Sequence, residues 1–168
     1  MKASILNDRR ILVVNNQPAD SMVLEEEIQR AAPNCHVDKA IHYENAVQLF
    51  ITYTYDLVVL DSLSFRSSDF LDLTANRFPP PPVVLLTNGY LDLGALKGFE
   101  KMGARICFPK ENFGEIIPFL EGVVRYENFP GWRRLLEDLT GLFRGKMPGW
   151  QKTSQFELKS VGGAESIV

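Results

Sequence analysis

Histidine and cysteine are both scarce in this 168-residue chain, with two of each. His36, His42, Cys35 and Cys107 show no metal-ligand spacing, which excludes the usual Cys/His zinc motifs. Two isolated cysteines cannot build a disulfide framework either, so reduced thiols are expected. There is no basic excess: the formal net charge is -3, too acidic overall for a general nucleic-acid field. No apolar run approaches the ~20 residues that span a bilayer. The opening "MKASILNDRR" lacks the apolar core of a signal peptide. These absences lead us to expect a cytoplasmic protein that binds neither nucleic acid nor membrane.

What is present suits a globular domain. Hydrophobic residues make up 45% of the chain, enough for one proper core with some chain left over. Charge divides unevenly. Residues 1–127 hold 12 Lys+Arg against 17 Asp+Glu, a balance of -5, and residues 128–168 hold 6 against 4, a balance of +2. We therefore expect one domain over residues 1–127 and a different kind of segment over 128–168.

Short apolar runs alternate with helical patterns. "RILVV" (10–14), "DLVVL" (56–60) and "PVVLL" (82–86) are too short for buried helices and read as strands covered on both faces. "CHVDKA" (35–40) and "RICF" (105–108) are weaker strand candidates. Pro18 and Asp20 suit a helix start, with Leu24, Ile28 and Ala31 on one face. Tyr43, Ala46, Val47, Phe50 and Ile51 form a second apolar stripe. Residues 69–76 read as a short third helix. Leu91 to Met102 read as a fourth, weakened by Gly94 and Gly98. Phe113, Ile116, Ile117, Leu120, Val123 and Val124 follow the period of a fifth helix. Strict alternation of five strands and five helices predicts an α/β fold, a doubly wound five-stranded parallel sheet. "PPPP" at 79–82 stiffens the entry to the fourth strand.

In such folds ligands sit at the carboxyl ends of the strands. Asn15 and Asn16 follow the first strand, Asp61 the third, Thr87 and Asn88 the fourth, and Lys110 the fifth. A carboxylate, a hydroxyl and an ammonium on one rim can hold a phosphoryl group. Each also has a plainer use. Asp61 and the two asparagines could form turns, Thr87 could cap a helix, and Lys110 could be solvated.

The order "RILVVNNQP", "YDLVVLD", "VVLLTNGY", "GARICFPK" resembles the receiver domain of bacterial response regulators, over roughly residues 9–127. The resemblance implies a flavodoxin-like fold. It makes Asp61 the position that accepts phosphate from a histidine kinase, Thr87 the switch hydroxyl and Lys110 the lysine that contacts the phosphoryl group. There are departures. The acidic pair that helps hold Mg²⁺ falls on Asn15 and Asn16. "SLSFRSSDF" replaces the usual Met-Pro turn and Gly after Asp61, and Asn88 replaces a small residue. Cys107 takes the place of the switch aromatic, with Phe108 one position later. Pro109 precedes the lysine instead of following it.

Mg²⁺ favours carboxylate oxygens. At an effective dielectric near 20, each unit charge at ~4 Å contributes roughly 4 kcal/mol of gross attraction, so two amides should weaken the metal site by orders of magnitude. Without that ion, a phosphoryl group approaching Asp61 meets uncompensated repulsion. On this count Lys110 has only Asp61 to pair with, and a fixed salt bridge is expected.

Beyond Tyr126, the residues Trp132, Leu135, Leu136, Leu139, Leu142 and Phe143 share one helical face, and Arg133, Arg134, Glu137 and Asp138 the other. The apolar face could pack on its own domain, on a partner or second copy, or on a membrane, against which Glu137 and Asp138 count. The stretch after residue 150 has little periodicity, and no helix-turn-helix pattern follows the domain.

The expected function is that of a divergent receiver, a signalling protein–protein interaction module and not an enzyme. Asp phosphorylation would be impaired or absent, and Mg²⁺ weak if bound at all. Trp132, Leu135, Leu136, Leu139 and Phe143 are candidate interface residues. The alternatives are a working phosphoreceiver and a structural scaffold.

Overall fold

The computed structural model describes residues 2–64, 66–88, 97–99 and 101–126. Among them the named elements run β1 (Arg10–Val14), α1 (Pro18–Ala31), β2 (His36–Ala40), α2 (Tyr43–Thr52), β3 (Leu57–Asp61), α3 (Ser67–Ala75), β4 (Val83–Thr87), β5 (Ala104–Pro109) and α4 (Ile116–Tyr126). Residues 97–99 and 101 are also helical; the rest of the helix expected over 91–102 lies outside the described residues. So does the C-terminal segment with Trp132, Leu135, Leu136, Leu139 and Phe143. No described helix is long and apolar enough to cross a membrane.

All four strand pairs are parallel, in the order β2-β1-β3-β4-β5. The apolar runs divide between two cores as strand geometry demands, with successive side chains on opposite faces. Ile11, Val13, Leu57, Val59, Val84, Leu86, Ile106 and Phe108 meet α1 and α4 through Leu24, Ile28, Phe119 and Leu120. Leu12, Val14, Val58, Leu60, Val83, Leu85 and Cys107 meet α2 and α3 through Ala46, Phe50, Phe70 and Leu71. The Phe108 and Phe119 rings lie 5.2 Å apart, and Phe70 stands edge-on to Phe50 at 5.7 Å. Cys107 and Phe108 thus face opposite cores. Phe108 is an anchor for α4.

Three expectations are adjusted. The α2 stripe is narrower than its sequence pattern: Ala46 and Phe50 are buried, Tyr43 and Val47 half-buried, and Ile51 is 69% exposed. The third helix begins at Ser67, two residues early, after Arg66 turns through a left-handed conformation (φ 55°). Its guanidinium lies 3.9 Å from the Tyr43 ring centroid and pairs with Asp69. The fifth helical pattern is broken, because Lys110–Glu115 form a 3-10 turn with Asn112 kinked (φ -112°, ψ 28°) before α4 starts. Pro118 then falls in the first turn of α4, where no backbone N–H is needed.

The edge strand β2 explains its own weak signal. It carries Asp38, which accepts from Arg10 Nε at 2.8 Å and from the Tyr55 hydroxyl at 2.8 Å. The Arg10 guanidinium also lies over the Tyr53 ring, 3.8 Å from its centroid. Burial pushes the Asp38 carboxyl up, but the bonds from Arg10 and Tyr55 outweigh it and hold the pKa below the usual range. A depressed folded pKa gives stability that is present above the unfolded value of about 3.9 and is lost as pH falls through the folded value. Asp38→Asn is therefore expected to lower urea-unfolding stability by about 1 kcal/mol at neutral pH, with the gap to wild type closing below about pH 4.

Candidate functional site

The sheet register decides which residues share the carboxyl-end rim. Val14 pairs with Leu60, so Asn15 is level with Asp61. Asp61 pairs with Leu86, which puts Thr87 one step beyond. A register shift at Val83/Val84 pairs Thr87 with Pro109, and Lys110 follows at once. Without that bulge Thr87 would lie opposite Phe108 and Lys110 would be carried past the rim. The chain also reverses direction across the sheet here: β2 lies on one side of β1 and β3 on the other. This is the switch point where such folds bind ligands.

Asp61 is 0% exposed. Its Oδ1 accepts the Leu63 N–H at 3.1 Å, and its Oδ2 accepts Lys110 Nζ at 2.9 Å. The expected salt bridge is present, but the expectation that Lys110 pairs with Asp61 alone is incorrect. Lys110 Nζ also donates to Asp20 Oδ2 at 3.0 Å. Asp20 reaches the rim because α1 starts directly beneath it, with Pro18 at the first helical position. Burial disfavours the Lys110 ammonium, but hydrogen bonds to Asp61 and Asp20 outweigh it, so the pKa is raised. The two carboxylates and one ammonium leave a local formal charge of -1, where Asp61 and Lys110 alone sum to zero.

The asparagines serve the turn. Asn15 is 1% exposed, and its Oδ1 accepts the Gln17 N–H at 2.8 Å. The Asn16 N–H reaches Ser64 Oγ at 3.3 Å. Asn15 Nδ2 and Asn16 Oδ1 are buried without a hydrogen-bond partner. Thr87 is buried at the end of β4, and Asn88 beyond it is exposed. Asp61, Thr87, Lys110, Asn15 and Asn16 thus gather at one rim. His36 and His42 are exposed elsewhere.

The resemblance implies Mg²⁺ beside Asp61, and the donors present do not fit it. Among the described residues no group of three or more His, Cys, Asp or Glu could hold a metal. Both carboxylates of the rim are already neutralised in part by one ammonium. The strand-end residues next to Asp61 offer amides, one of which is spent on the Gln17 turn.

Asp20 is the site residue that sequence reasoning missed as a partner. An acid in the first turn of a helix already has an ordinary role against the helix dipole. Only the i+2 offset from Pro18, which points back over the N-terminus, marks it.

No protein-family profile matches the sequence, and no curated protein matches it significantly. Its likenesses are structural. The signal receiver domain of a DNA-binding response regulator from Colwellia psychrerythraea superposes with a TM-score of 0.64 at 20% identity, covering 70% of this chain and 99% of that one. A CheY-like receiver domain protein from Methanospirillum hungatei gives 0.59 at 16% identity, covering 71% and 98%. Response regulator DrrB of Thermotoga maritima, an OmpR/PhoB homologue, gives 0.62 at 19% identity; 71% of this chain matches 54% of that one. The five-stranded parallel sheet with its covering helices therefore has the response-regulator receiver fold.

Proposed function

We propose that this chain is a divergent receiver acting as a signalling protein–protein interaction module, with phosphorylation of Asp61 impaired or absent. One observation carries the reading: Lys110 is bound to both Asp61 and Asp20 on a rim whose metal-holding positions are Asn15 and Asn16. A phosphoryl group entering there must part Lys110 from two carboxylates that already share its charge. Output then depends on surfaces and not on chemistry. The partner is a histidine kinase or a downstream signalling protein, or a second copy of the chain. The segment with Trp132, Leu135, Leu136, Leu139 and Phe143 is the proposed contact.

The convergence of Asp61, Thr87 and Lys110 favours one other reading, a working phosphoreceiver with a weak metal. The two part under a phosphoryl mimic. Beryllofluoride with Mg²⁺ is expected to leave the amide resonances of Thr87 and Lys110 unmoved at roughly millimolar Mg²⁺, a level typical of weak oxygen sites. Saturable shifts at those residues would favour the phosphoreceiver.

A further inference from the structure

The two carboxylates of the rim share one lysine. Lys110 Nζ lies 2.9 Å from Asp61 Oδ2 and 3.0 Å from Asp20 Oδ2. Its side chain is only 9% exposed and that of Asp61 0%, so their bond is made away from water, while Asp20 is 28% exposed. We propose that Lys110 is the resident cation of this site and that Asp20 is the acid that keeps it there, closing a latent divalent-cation site. An ammonium and a divalent ion cannot sit between the same two carboxylate oxygens, because they repel. Asn15 and Asn16 bring no charge with which a metal could compete for that position.

Removing the ammonium leaves Asp61 Oδ2 and Asp20 Oδ2 without their shared partner. Asn16 Oδ1, on the same rim, is buried and unpartnered already. The two freed carboxylates are oxygen donors of the kind hard divalent ions take, with water completing the shell. Asp20 comes from the first turn of α1, Asp61 from β3 and Lys110 from the turn after β5. The lysine therefore also ties α1 to the far side of the switch point.

The inference deepens the proposed function by naming what occupies the site. It is read from stability and cation response, whereas the proposed function is read from phosphoryl-mimic shifts, so either can fail alone. The test is thermal unfolding of the full chain with and without millimolar Mg²⁺. Wild type is expected to show no shift. Lys110→Gln is expected to melt lower and to regain roughly 5 °C or more with Mg²⁺, as binding to the folded state requires. Lys110→Gln/Asp20→Asn is expected to lose that gain. A wild-type gain as large as that of Lys110→Gln, no gain in Lys110→Gln, or a gain that survives without Asp20 would each overturn the proposal. If Lys110→Gln does not fold, lysine ¹⁵N NMR on wild type and Asp20→Asn decides it. Loss of Asp20 should speed solvent exchange of the Lys110 ammonium by about tenfold or more, since one of its two charge-assisted bonds is gone. Unchanged exchange would refute the role of Asp20.

Discussion

Lys110→Met is expected to lower unfolding stability by about 3–5 kcal/mol, because it strands the Asp61 carboxylate in the interior without its counter-ion. Among the described residues, the Asp61 carboxylate then keeps the Leu63 N–H. The companion Asp61→Asn should cost less, since Lys110 still holds Asp20 and an amide can keep the turn. The double variant Lys110→Met/Asp61→Asn should recover much of the loss, because neither buried charge remains. A urea-denaturation cycle over the four chains measures this, and equal losses in Lys110→Met and the double variant would contradict it. The pH profile carries the same sign. A lysine whose folded pKa is raised contributes stability below its unfolded value, near 10.4, and loses it as pH rises through the folded value. Wild type should therefore weaken above about pH 10.4, and Lys110→Met should not show that step.

Asn15→Asp/Asn16→Asp is expected to raise Mg²⁺ affinity by at least about 100-fold, or about 2.7 kcal/mol. The change takes the rim from a formal charge of -1 to -3. It also sets a carboxylate at position 15, where the side chain is almost fully buried, beside Asp61. Without metal the variant should be less stable than wild type, since like charges at close range disfavour folding. With Mg²⁺ that deficit should close. Calorimetric titration reads the affinity, and beryllofluoride-induced shifts at Thr87 read whether phosphoryl binding returns with it. No gain in Mg²⁺ affinity would show that the two amides are not what limits metal binding.

Much of this fold is legible from short windows. β1, β3 and β4 are runs of Val, Leu and Ile that only a sheet covered on both faces can bury at that length. β2 is faint for a physical reason: as an edge strand it carries His36, which pairs with Asp38, Asp38 itself, which also holds Arg10, and Lys39, which pairs with Glu25. β5 is faint because Arg105 sits at the register shift with β4 and interrupts its apolar run. The pattern from Phe113 to Val124 looks continuous because a 3-10 turn and an α-helix place apolar residues at similar spacings.

The site divides the same way. Asp61, Thr87 and Lys110 could be named in advance, since each ends a strand and all strands of a parallel sheet end on one side. The two asparagines could be named for the same reason, and with them the expectation of a weak metal site. The sequence alone determined the elements, their alternation and the residues at the rim, because these depend on contacts between neighbours along the chain. The tertiary structure alone decided that Asp20 shares Lys110 with Asp61, which are 90 and 49 positions from the lysine. No local pattern encodes that pairing. It arises where α1, β3 and the turn after β5 meet, and it turns the expected simple ion pair into a lysine held by two acids.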